Sequence, residues 1–156
     1  WAIVVGSPIV GDSLNIFLRL SGRPWIASLV WRMPTALELG IRVFSPYVVN
    51  DWPQWYKMIT RDISQATLES FFSSIRSLHK TDLRSFLPVI TRPIMGIYGV
   101  GDNVVSPNQA NLIAECVPIS RIKMMTGSKH FPMLDEPTAF NDNLAEFLAF
   151  EFVPSG

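Results

Sequence analysis

From Pro93 onward the chain alternates short, continuously apolar runs with helical stripes, and this rhythm restricts the fold more than any other feature. Pro93-Ile94-Met95-Gly96-Ile97-Tyr98 reads as a strand buried on both faces, opened by a proline where no ladder donor is needed. Ser106-Pro107 then offers an N-cap and a first-turn proline. Ala110, Ile113, Ala114 and Val117 follow on one helical face, and Pro118 stops that helix. Ile119 to Met125 reads as a further strand. Asp135 is placed to cap a last helix with the stripe Phe140, Leu144, Phe147 and Leu148. Strands separated by helices pair in parallel, because parallel neighbours need a crossover, so an α/β fold is expected.

Upstream the pattern differs. Trp1 to Gly6 is also continuously apolar and reads as a strand buried on both faces. Between residue 12 and about residue 90 no second convincing strand appears. Pro24, Pro34, Pro46 and Pro53 are expected to cut this stretch into short pieces, since proline removes a donor and blocks the preceding turn. The clearest helix in it runs from about Ser64 to Leu78, with Leu68, Phe71, Phe72 and Ile75 on one stripe. Aromatics crowd the region: Trp25, Trp31, Phe44, Tyr47, Trp52, Trp55 and Tyr56.

Composition limits the function classes. Of 156 residues, 48% are hydrophobic and only 17% charged, the opposite of a disordered chain. Lys+Arg and Asp+Glu number 13 each, so there is no basic excess to suggest a nucleic-acid or anionic-membrane partner. The single Cys116 excludes an internal disulfide framework and a multi-cysteine metal site, and reads as packing. No run of about 18 apolar residues suggests a membrane span. The first cation is Arg19, behind the first apolar run rather than before it, so no secretory leader is read and the cytoplasm is the expected compartment. Three strands make a poor sheet, and a mean hydropathy of +0.24 is high for a freestanding domain. The expectation is a cut through the middle of a fold, with an N-terminal part missing.

The chemistry is expected after the last two strands, where loops beyond the carboxyl ends of a parallel sheet carry reactive groups. One loop reads Gly99-Val100-Gly101-Asp102-Asn103-Val104-Val105-Ser106-Pro107, and the other Gly127-Ser128-Lys129-His130-Phe131-Pro132. An acid and a histidine thus leave consecutive strand ends. Histidine suits a general base, and a carboxylate on its other nitrogen holds the tautomer.

Together these segments resemble the α/β-hydrolase family. Gly99-x-x-Asp102-x-x-Val105 with Pro107 is similar to its acid loop; Gly127, His130, Pro132, Glu136-Pro137 and Phe140 are similar to its histidine loop and last helix. Val5-Gly6-Ser7-Pro8 is similar to the end of the strand after the nucleophile helix, and Asp82 to Pro93 to the approach to the penultimate strand. The resemblance implies residues 1–11 as a core strand, 12–88 as a helical cap and 89–156 as the C-terminal core. It implies a serine carboxylic-ester hydrolase acting on an apolar ester, with Asp102 and His130 catalytic and neither cofactor nor metal. It also implies a nucleophile on the missing N-terminal half, because no G-x-S-x-G elbow occurs in these residues.

Rival readings use other residues. Gly11-Asp12-Ser13-Leu14 spells the block of GDSL-type hydrolases, which would make Ser13 the nucleophile, although Gly127 stands where that family's D-x-x-H aspartate would be. The plainer reading of Asp12-Ser13 is a helix cap before Leu14, Ile16, Phe17 and Leu18. Asp12 also follows the first strand, where some α/β-hydrolases carry the triad acid, but Asp102 fits its loop pattern better. His79, beside Lys80, reads as a cation at a helix end. A non-catalytic α/β-hydrolase-like binding or receptor protein would use the same cap pocket.

Overall fold

The computed structural model describes residues 1–21, 23 and 34–152. Pro24, Trp25 and Trp31 of the aromatic block lie outside the described residues. The chain runs through strand β1 (Ala2–Val5), a 3-10 turn (Gly11–Ser13) and α1 (Ile16–Ser21). The helices α2 (Pro34–Val48), α3 (Trp52–Gln65) and α4 (Leu68–His79) follow. Then come β2 (Ile94–Gly99), α5 (Gln109–Cys116), β3 (Ser120–Met125), α6 (Pro132–Asp135) and α7 (Pro137–Phe152). The three strands form one parallel sheet in the order β1-β2-β3, with Ala2 opposite Ile94 and Ile94 opposite Ser120.

The unbroken apolar run of β2 follows from its position. Every residue from Ile94 to Gly99 is buried. Alternate side chains of a strand point to opposite faces. Ile94 and Tyr98 join a cluster with Ala110, Ile113 and Val117 of the α5 segment, while Met95 and Ile97 join Met125 and the α7 residues Phe140 and Phe147. A third cluster, under the helical segment, holds Leu14, Val48, Val49, Trp55, Val104 and Val105.

Several sequence expectations are corrected. β1 is not buried on both faces: it is an edge strand whose Ile3, Val4 and Val5 are half-buried, because β2 is its only paired neighbour among the described residues. Prolines fragment the helical segment less than expected. Pro34 and Pro53 occupy helix starts, where a missing amide costs nothing, and Pro46 sits inside the last turn of α2. The helix expected from Ser64 is two helices, broken at Ala66-Thr67, where the Thr67 hydroxyl caps α4 by accepting from the Ser70 amide. Of its stripe, Phe72 and Ile75 are buried and Phe71 half-buried, while the Leu68 side chain is outside the description. Ser106 does not cap α5, which starts at Gln109; the Gln109 amide meets the Ser106 carbonyl instead.

Two measurements follow. The outer edge of β1 has no paired strand among the described residues, and such edges recruit other chains. Expressed alone, residues 1–156 are expected to self-associate in light scattering; a monomer with one cooperative calorimetric transition would contradict this. The second concerns Tyr98, whose hydroxyl donates to the Ser7 carbonyl at 2.9 Å. Burial first, and then the charge of Asp102, raise its phenol well above the ordinary value. Above about pH 10 unfolded tyrosine loses its proton while buried Tyr98 keeps it, so the folded state binds more protons and stability falls as pH rises. The urea midpoint of the full chain should drop between pH 9 and 11 less steeply in Tyr98→Phe than in the native sequence.

Candidate active site

The acid loop leaves β2 through a tight turn in which the Asp102 amide bonds the Gly99 carbonyl at 3.3 Å. The Asp102 carboxylate then divides its work. Its Oδ1 accepts from the Val104 and Val105 amides at 2.7 and 3.0 Å, and its Oδ2 meets His130 Nδ1 at 2.9 Å. Asp102 thus caps its own turn with one oxygen and holds the imidazole with the other. The Asp102 side chain is 0% exposed and that of His130 19% exposed, so the contact is shielded while the ring keeps an open side.

The histidine loop is held from several directions. The Gly127 amide and Ser128 hydroxyl donate to Glu136, and the Lys129 amide donates to Asp135 at 2.8 Å. Asn50, after α2, donates its amide to the same Asp135 at 2.7 Å and its side chain to the Gly127 carbonyl at 2.8 Å. The end of α2 completes the clamp: Lys129 Nζ donates to the Pro46 carbonyl at 2.7 Å and the His130 amide to the Val48 carbonyl at 2.9 Å. A cation and an amide thereby satisfy carbonyls that a helix end leaves without partners. The His130 ring lies edge-on to Phe131, with centroids 4.8 Å apart.

Two glycines admit this loop. Gly6, at the exit of β1, has φ +53, and a Cβ there would sit 3.0 Å from the His130 carbonyl and 3.3 Å from Nδ1. A Cβ on Gly99 would overlap the Lys129 carbonyl. The ends of all three strands thus converge on the histidine loop.

Of the sequence candidates, Asp102 and His130 come together. Asp12 does not join them: its side chain is 75% exposed and pairs with Arg19 at 3.1 Å. Ser13 is in the 3-10 turn, not a helix cap, and its buried Oγ has no hydrogen-bond partner among the described residues, so no base activates it. Asp135 is not the cap of the last helix; it ends α6 and ties Lys129 to Asn50. His79 is exposed at the end of α4, and Cys116 packs half-buried beside the Tyr98 cluster. No three His, Cys, Asp or Glu side chains gather as a metal site, and no helix is long and apolar enough to cross a membrane, among the described residues. The supporting roles of Asn50 and Lys129 were missed. Their partners are backbone groups far along the chain, which leave no local pattern.

A carboxylate can only accept, so Nδ1 carries the proton toward Asp102 and the neutral ring is left with a bare Nε2. That nitrogen has no hydrogen-bond partner among the described residues. The arrangement can take a proton at Nε2 while Asp102 stabilises the resulting imidazolium.

No family model matches the chain. Among curated relatives, 3-oxoadipate enol-lactonase 2 of Acinetobacter baylyi is 27% identical over 108 residues, covering 69% of this chain and 40% of the relative. A pimeloyl-[acyl-carrier protein] methyl ester esterase of Vibrio vulnificus is 31% identical over 83 residues, covering 53% of this chain and 32% of the relative. Among solved structures, MGS-M2, an α/β-hydrolase enzyme from a Medee basin deep-sea metagenome library, superposes with a TM-score of 0.72 at 18% identity, over 94% of this chain and 55% of that one. The chain shares the fold of α/β-hydrolases. It spans less than half the length of these two curated relatives.

The division of labour at Asp102 is testable by two substitutions. Asp102→Ala strands two buried amides and frees the imidazole, and should cost about 2–4 kcal/mol in urea unfolding of the full chain. Asp102→Asn, keeping an oxygen on the amides, should cost less than half as much but present an N–H donor to Nδ1. Imidazole ¹⁵N shifts should then report the proton moving from Nδ1 to Nε2.

Proposed function

We propose that these residues supply the acid and base of a serine-dependent carboxylic-ester hydrolase. The observation that carries the reading is the 2.9 Å contact between His130 Nδ1 and Asp102 Oδ2, formed from the ends of adjacent parallel strands. In this reading the nucleophile belongs to part of the protein outside these 156 residues. His130 Nε2 takes the proton of a serine hydroxyl as its oxygen attacks the ester carbonyl, and returns that proton to the leaving alcohol. It then deprotonates the water that releases the acid and restores the serine. No cofactor is required.

Residues 12–88 are proposed as a cap over this centre, within a division of 1–11 and 89–156 as core. Support comes from the cluster in which Leu14, Val48, Val49 and Trp55 pack beside Val104 and Val105 of the acid loop. The Trp55 and Phe131 rings lie 5.9 Å apart, next to His130. Such a wall suits a small ester with an apolar acyl or alcohol part. The relatives named above, an enol-lactonase and a methyl ester esterase, support cleavage of a carboxylic ester bond.

The test uses p-nitrophenyl esters of increasing acyl length. The full chain should turn them over, and His130→Ala should lower kcat/KM by at least about 10³-fold. Residues 1–156 alone should show no triad-dependent turnover. Robust hydrolysis by this segment alone, lost in His130→Ala, would refute an outside nucleophile.

A further inference from the structure

A cavity of about 260 Å³ opens between α1 and the last turn of α4. Ile16, Arg19, Leu20 and Arg23 line it from one side at helical spacing, and Arg76, His79 and Lys80 from the other. The chain as a whole has no net charge, so this concentration of cations is local. Arg19 is neutralised by Asp12 at 3.1 Å, and Arg84, the next cation along the chain, by Asp82 at 2.6 Å. Among the described residues no carboxylate pairs with Arg23, Arg76 or Lys80.

Cations at the end of a helix ordinarily answer its carbonyls. Here those carbonyls already have donors. The Lys80 amide bonds the Arg76 and Ser77 carbonyls, the Thr81 amide bonds that of Leu78, and the Thr81 hydroxyl bonds that of Ser77. Both the Arg76 and Lys80 side chains line the cavity, and among the described residues neither bonds a backbone carbonyl. Like charges held around one space repel unless an anion enters it.

We infer that this cavity binds a phosphate-type oxyanion. Two guanidinium forks and an ammonium match a tetrahedral dianion better than a single carboxylate, because each fork bonds two oxygens. The volume lies just below the range of about 300–1,000 Å³ that holds drug-sized ligands, which fits a small anion. Ile16 and Leu20 offer apolar wall to any organic group the phosphate carries. The site uses none of the residues assigned to ester cleavage and stands without that reading.

The experiment titrates the full chain with inorganic phosphate, and separately with phenyl phosphate, at ionic strength held constant with sodium chloride. Calorimetric binding and the thermal midpoint are both read, and neither depends on turnover. Saturable binding of at least one probe is expected, weakened at least about tenfold in Arg76→Gln/Lys80→Gln, as loss of charge-assisted contacts requires. Asp12→Asn, which frees Arg19, should tighten it and guards against a variant that merely folds poorly. Tighter binding of phenyl phosphate would point to a phosphoryl group on an organic carrier, and tighter inorganic phosphate to the free ion. Midpoints that follow chloride alone, or equal affinity in the double variant, would overturn the site.

Discussion

Strand β2 is covered by helices on both faces, and the rest of the molecule is arranged around that burial. Tyr98 and Ile97 have no exposed surface, and each points into a different cluster. A strand so enclosed cannot move without emptying both cores; truncating one fully buried aromatic such as Phe147 removes contacts worth about 3–5 kcal/mol. The loop that leaves β2 at Gly99 inherits this rigidity. Asp102 therefore stands at a fixed point, with one oxygen already committed to the Val104 and Val105 amides.

His130 is positioned differently. β3 is half-buried, and the loop that follows it makes contacts well beyond the sheet. Its amide and the Lys129 ammonium reach the final carbonyls of α2, and Asn50 binds it from beyond that helix. The helical segment and the imidazole are thus one mechanical unit. Hydrogen bonds rather than loose packing make this connection. This coupling gives a physical reason for an aromatic wall, Trp55 against Phe131, to sit next to the histidine.

The charge distribution adds a second theme. Most described ion pairs are exposed, where water screens their attraction and little stability results. What matters is where cations lack carboxylate partners among the described residues, as Arg23, Arg76 and Lys80 do between α1 and α4. The buried pair, by contrast, is the one between Asp102 and His130, where shielding makes orientation rather than net attraction the useful product.

Local sequence was sufficient for the parallel α/β architecture, because continuous apolar runs separated by helical stripes leave few other ways to cover both faces of a strand. The same logic puts Asp102 and His130 on neighbouring loops, since each follows the carboxyl end of one of two adjacent parallel strands. It misjudged β1, since an apolar run reads alike at the centre of a sheet and at its edge; only the pairing order decides. It also misplaced Asp135 and Ser106 as caps, since both residue types suit several backbone partners and the choice among them is made by elements distant in the chain. The clamp of Asn50, Lys129, Asp135 and Glu136, and the cations beside α4 that have no carboxylate partner among the described residues, arise from packing of segments far apart in sequence. Such contacts carry no periodicity, so tertiary structure alone decided them.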